Sequence, residues 1–334
     1  MYRHCRVLGE APVNHCAVKG ILVSAILVPL LLGQLLFAPP SASPNEPILQ
    51  WEKGETAHFI FYYRKEDHLL AGYLIEDAEE DYTRIVADIG MDPGLRAEVY
   101  LAPDRTSFKR LQPPGDETED WSVGVFYPRR NLILLLSPKV QKAVNADLRQ
   151  TMAHELTHFI LFGLTQGKGV HLPVWLHEGL AQYEARQWDW GHRMIMAETA
   201  LTRSFLPLAS LAKGFPAEKR LAERAYAQSI SLIAYIINTY GTEYLHRLIA
   251  HLLQGQTPAQ AFYSVFGITL GGFEKNWHVY LRRRYNWIPF LTSGIALWFL
   301  VSLLTLGIYL YKRRLAKKRL VLWDIEDHID SLFS

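Results

Sequence analysis

The reading of this chain turns on Met152-Ala153-His154-Glu155-Leu156-Thr157-His158-Phe159-Ile160, taken with Trp175-Leu176-His177-Glu178-Gly179-Leu180-Ala181 a little further on. Leu148, Met152, Leu156, Phe159 and Ile160 recur at helical spacing, which predicts a helix over about 145–162. Asn145 or Asp147 can cap its start, and Gly163 can end it. On such a helix His154 and His158 lie on one face, one turn apart, with both imidazoles pointing the same way. Two nitrogens then converge on one metal ion, a combination that suits Zn2+. Glu155 stands about 100° round the helix from His154, placed to touch a water on that ion rather than to bind it. It is the candidate general base.

A catalytic zinc site takes its third protein ligand from another element and leaves the fourth position to water. Pro173 at a first-turn position, followed by Trp175, Leu176, Leu180 and Tyr183 as an apolar stripe, predicts a second helix. Glu178 projects from it and is the candidate third ligand. His171 and His177 are the alternatives, although a histidine beside an aromatic-rich helix start is more often a capping or surface group.

His-Glu-Leu-Thr-His with a distant glutamate resembles the gluzincins, the clan of thermolysin and the alanyl-type aminopeptidases. The Trp-Leu-x-Glu-Gly-x-Ala segment is most similar to the aminopeptidase branch. Residues 55–285 as a whole resemble the bacterial membrane proteins with a peptidase-MA-like domain. A metzincin pattern is set aside, because it needs glycine at 161 and histidine at 164, where this chain has Leu161 and Leu164. The resemblance implies His154, His158 and Glu178 as zinc ligands and Glu155 as the base. It also implies an acid four residues after the glutamate ligand that orients one histidine; here that place holds Gln182, whose amide accepts such a bond more weakly. A tyrosine or histidine for the tetrahedral oxyanion is implied as well. Tyr226, in Ala225-Tyr226-Ala227-Gln228-Ser229 at the start of a long apolar helix, is the candidate, and a plain core aromatic is the alternative.

Upstream, Ser122–Tyr127 and Asn131–Leu136 read as two strands joined at Pro128-Arg129-Arg130. In gluzincins an edge strand beside the zinc helix binds extended substrate through its main chain. The resemblance gives that role to Gly124 and Val125, glycine permitting close backbone approach. A strand near 57–64, a helix near 67–89 and a strand near 96–102 precede this hairpin, a loop spans 112–115, and helices run almost continuously over 145–285. The expected fold is α+β: a small mixed sheet with an edge hairpin, then a mainly helical zincin-like lobe, with one or two transmembrane helices.

Residues 1–20 carry Arg3, Arg6 and Lys19, and 21–38 are apolar without a charge, which reads as a signal peptide or signal-anchor helix. The run 289–311 is about 35 Å long as a helix, enough to span a hydrocarbon core of about 30 Å. Lys312, Arg313, Arg314, Lys317, Lys318 and Arg319 follow it and place the tail 312–334 in the cytoplasm. The domain 44–286 then faces outward from the cell membrane. With 35 Lys+Arg against 33 Asp+Glu the net charge is only +2, and no basic stripe points to nucleic acid. Cys5 and Cys16 both precede the first apolar segment, so no disulfide braces the exported domain. Nothing in the sequence fixes an oligomeric state.

The expected function is that of a membrane-anchored zinc peptidase acting on peptide or protein substrates beside a lipid bilayer. The lack of a Gly-x-Met-Glu-Asn segment to anchor a substrate amine favours an endopeptidase. An inactive binding or scaffold protein on the same fold, or a zinc hydrolase of a non-peptide bond, are the alternatives.

Overall fold

The computed structural model describes residues 50–118, 120, 122–140, 148–285 and 294–333. The segments 1–20 and 21–38 and the caps Asn145 and Asp147 lie outside these. The first half contains strands β1 (Glu52–Glu55), β2 (Phe59–Tyr63), β3 (Ala97–Ala102), β4 (Gly124–Tyr127) and β5 (Leu132–Leu136), with helices α1 (His68–Ile89) and α2 (Arg105–Leu111) between them. Helices α3 (Leu148–Thr165), α4 (Val174–Glu184), α5 (Trp190–Thr202), α6 (Leu208–Leu211), α7 (Lys219–Tyr240), α8 (Thr242–Leu253), α9 (Pro258–Phe266), α10 (Leu270–Tyr285) and α11 (Gly294–Phe333) follow. This is the mixed α+β arrangement that the sequence predicts.

The sheet has the order β1-β2-β3-β5-β4, parallel through β2, β3 and β5 and antiparallel at both edges. Helix α1 makes the crossover that the parallel pair β2/β3 requires. Strand β5 reads Leu-Ile-Leu-Leu-Leu without polar alternation because both of its faces are covered. Ile133 and Leu135 enter the main core with Phe159 of α3, and Leu132, Leu134 and Leu136 pack with Phe108 of α2. The hairpin partner β4 is left at the edge, next to α3.

Two elements escape the sequence reading. Strand β1 is Glu-Lys-Gly-Glu, with no apolar pattern to mark it, and it forms by pairing with β2. Helix α2 is a short one started by Asp104, whose side chain accepts from the Ser107 N–H. Helix α3 also runs past its expected end at Gly163 to Thr165. That glycine serves packing instead: a Cβ there would stand 2.7 Å from Pro93 and 2.9 Å from Leu95.

Helix α4 is wedged between α3 and α7. Its Gly179 lies against the α7 backbone, and a Cβ at that position would come within 2.6 Å of the Ser229 carbonyl oxygen. At its far end α4 is held to α1, where Arg84 donates to the Glu184 carboxylate and, at 3.0 Å, to the Glu184 main-chain carbonyl. Arg149 ties the start of α3 to the same helix through Asp77, Glu80 and Asp81.

Among the described residues no helix is long and apolar enough to cross a membrane. Of the expected span at 289–311, residues 289–293 lie outside the described set. The side chains described further along on α11, among them Leu297, Trp298, Phe299, Leu300, Leu304 and Tyr311, are exposed.

The Gly179 contact makes a signed prediction. Alanine improves helix propensity by about 1 kcal/mol over glycine, yet overpacking against a fixed backbone costs about 1–3 kcal/mol. Gly179→Ala is therefore expected to lower the urea midpoint, and a raised midpoint would show that α4 and α7 can part freely. Glu184 makes a second. Its Oε1 is buried without a partner, and burial, outweighing Arg84, lifts its carboxyl from 4.5 to about 7. The stabilisation from this protonated form is complete below about pH 4.5 and disappears as pH rises through about 7, up to about 3 kcal/mol. Glu184→Gln keeps the group neutral, so its unfolding free energy should fall less between pH 5 and 8 than that of the wild type.

Candidate metal centre

Helix α3 is buried almost all round from Thr151 to Leu161, with His158 the one position left partly open. The helical spacing sets His154 and His158 together, with ring centroids 4.9 Å apart at 79° and the two Nε2 atoms 3.2 Å apart. Helix α4 brings Glu178 to them, Oε1 lying 3.9 Å from Nε2 of His158. One donor atom from each of the three residues lies within 4.8 Å of the others. Ligands of a tetrahedral zinc, at bond lengths of about 2.0–2.1 Å, stand about 3.3 Å apart. The observed 3.2 and 3.9 Å bracket that spacing, so the donor set fits such an ion.

Each imidazole has a second neighbour on its remote nitrogen. Nδ1 of His154 faces Oε1 of Gln187 at 3.2 Å, and Nδ1 of His158 faces Nδ1 of His177 at 3.2 Å, the latter rings being stacked at 5.5 Å. His177 is thus placed beside a donor rather than among the three converging atoms. Gln182 is buried, but its Oε1 has no partner, and it is Gln187 that meets His154. The amide that faces His154 is thus not the one four residues after Glu178. Gln187 follows Arg186, whose φ of 55° turns the chain back after α4, and spacing along a helix cannot register a residue delivered by a left-handed turn.

The electrostatics are those of a pocket short of positive charge. Burial lowers His154 and His177 to about 4 and pushes His158 well down, the last also through its neighbours His154 and His177. All three imidazoles are therefore neutral, the form that can ligate. Burial raises Glu178 to about 7. Glu155 is raised to about 8 by burial and then by the Glu178 carboxylate, with the backbone N–H of Phe126 acting in the opposite sense. Two acids and three neutral imidazoles packed together make a site that a divalent cation would complete.

The Phe126 amide belongs to β4. Leu136 N–H donates to Val123 carbonyl at 2.9 Å, so the alternation of an antiparallel pair turns the main chain of Val123, Val125 and Tyr127 toward β5 and that of Gly124 and Phe126 to the open edge. Val125 is therefore engaged within the sheet, and its side chain packs on the α2 side. The edge groups expected of Gly124 and Val125 come instead from Gly124 and Phe126. A Cβ on Gly124 would lie 2.3 Å from Cγ2 of Thr151 and 3.4 Å from Cγ of Glu155, so β4 can run this close to α3 only with glycine there. Tyr226 is buried on α7, and its ring stands edge-on to Phe215 at 4.8 Å.

The model of the peptidase MA superfamily matches residues 78–283, from within α1 to within α10. The chain belongs to this superfamily. It is on that ground a peptidase-type hydrolase, in a family that is generally zinc-dependent. No curated protein matches the chain. The match includes α3, α4, α7 and the β4–β5 hairpin, the elements that build the centre of this peptidase MA domain, and leaves β1 and β2 outside.

The contact of Gly124 with Thr151 can be tested by a double-mutant cycle. Gly124→Ala is expected to cost about 1–3 kcal/mol in urea unfolding. Adding Thr151→Ser, which removes the clashing methyl, should recover most of that loss. Full additivity of the two changes would contradict the close approach.

Proposed function

We propose that the protein is a membrane-anchored zinc peptidase, most simply an endopeptidase, that hydrolyses peptide bonds outside the cytoplasm. The observation that carries this is the convergence of His154, His158 and Glu178 within 4.8 Å, with the Glu155 carboxylate buried beside them. These three residues would hold Zn2+, which supplies polarisation of the scissile carbonyl and a water of pKa about 7.

The chain's own groups do the rest. Glu155 takes the proton of the attacking water and passes it to the leaving amine, and a carboxyl raised toward neutrality suits a group that must both accept and donate. On the open edge of β4 the Gly124 N–H and the Phe126 carbonyl are the main-chain groups for an extended peptide, since the Gly124 carbonyl accepts from the Ser122 hydroxyl and the Phe126 N–H faces Glu155. Tyr226 is the candidate donor to the developing oxyanion. Anchoring rests on the apolar run 289–311, on the exposure of Leu297, Phe299, Leu300 and Leu304 round α11, and on Lys312, Arg313 and Arg314 just beyond it. By the positive-inside rule, that order of charges supports a catalytic domain outside and a cytoplasmic C-terminus.

Glu155→Gln separates binding from chemistry. The purified variant should keep one equivalent of zinc by elemental analysis while losing at least about 100-fold in kcat/KM on a peptide library. His154→Ala should lose the zinc. A zinc-loaded variant with unchanged turnover would remove Glu155 from the mechanism, and a zinc-loaded wild type that cleaves no peptide would favour a binding protein.

A further inference from the structure

We infer that Gln187 is the positioning residue for the first histidine donor, carried on the turn after α4 rather than on α4 itself. The inference rests on the metal reading above and deepens it. Oε1 of Gln187 lies 3.2 Å from Nδ1 of His154. An amide oxygen only accepts, so this contact places the His154 proton on Nδ1 and leaves the Nε2 lone pair turned toward His158 and Glu178. It fixes both the tautomer and the plane of the ring.

The amide can do this because its turn is braced from three sides. Gln187 N–H donates to the Gln182 carbonyl at 2.9 Å, and Asp189 N–H donates to the Gln187 carbonyl at 2.9 Å. Arg186 N–H donates to the Tyr183 carbonyl at 3.0 Å while its φ of 55° reverses the chain. Two residues before Arg186, Arg84 of α1 grips the Glu184 carbonyl at 3.0 Å. Gln182 therefore contributes through its main chain, as the support of Gln187, and its own Oε1 is left without a partner. A neutral amide in this place also leaves His154 a weaker base than a carboxylate partner would.

The test is metal affinity, read without turnover. Zinc dissociation constants of the purified full chain are measured by competition with a chromophoric chelator, and the visible absorption of the Co2+-loaded protein is recorded. Gln187→Ala should weaken zinc by about 10–100-fold and alter the Co2+ bands, and Gln187→Glu should restore both, binding at least as tightly as the wild type. If Gln187→Ala fails to fold, Gln187→Glu decides: tighter or equal binding supports the assignment, weaker binding overturns it. Wild-type affinity and spectrum in a folded Gln187→Ala would overturn this inference alone. A wild type that binds no zinc would overturn the parent reading, and this one with it.

Discussion

Everything at the centre depends on how close α4 can come to its neighbours. The histidines are placed by the pitch of α3 alone, but Glu178 reaches them only because Gly179, the next residue, lets α4 press on the backbone of α7 at Ser229. Helix axes normally stand 8–10 Å apart, the distance being set by the side chains at the crossing. A glycine at that crossing removes the side chain that would hold them apart. Gly124 does the same for β4 against α3, and Gly163 for the loop at Pro93 and Leu95. Three glycines thus set the distances between the layers that enclose the site.

That compactness has an electrostatic counterpart. Glu155, Glu178, His154, His158 and His177 share one buried region, while Arg84 is engaged with Glu184 and Arg149 with the acids of α1. The carboxyls are raised and the imidazoles lowered first by loss of solvent, and for Glu155 and His158 also by their like neighbours. A cation at the focus of the donors reverses the balance for the carboxyls, stabilising their charged form. The same arrangement that penalises the isolated side chains would favour a bound cation.

Much of this was legible in the sequence, and the boundary is physical. Periodicity over Leu148–Ile160 gives α3 and the relation of its histidines, and two strand-like runs either side of Pro128-Arg129-Arg130 give the edge hairpin. What could not be read depends on the partner across a contact. Strand β1 has no pattern of its own and exists through β2. Val125 turns its main chain into the sheet and Phe126 to the open edge because the phase of hydrogen bonding in a hairpin is set by its pairing, not by residue type. Gly163 looks like a stop in sequence and acts as a contact in space. Gln182 has the spacing that the resemblance implies for an orienting amide, yet Arg186 turns the chain so that the Gln187 amide is the one facing His154.

The turn at Arg186 completes a contiguous stretch, residues 154–187, that holds the three converging donors, Glu155 and both neighbours of the imidazoles. Contacts so local in sequence close small loops and cost little chain entropy to form. Their rigidity is another matter, since α7 must arrive from residues 219–240 before Gly179 has its partner. During synthesis the donor segment therefore emerges ahead of the element that locks it. Gathering of the donors is a local event, and their final fixation waits on later-made chain.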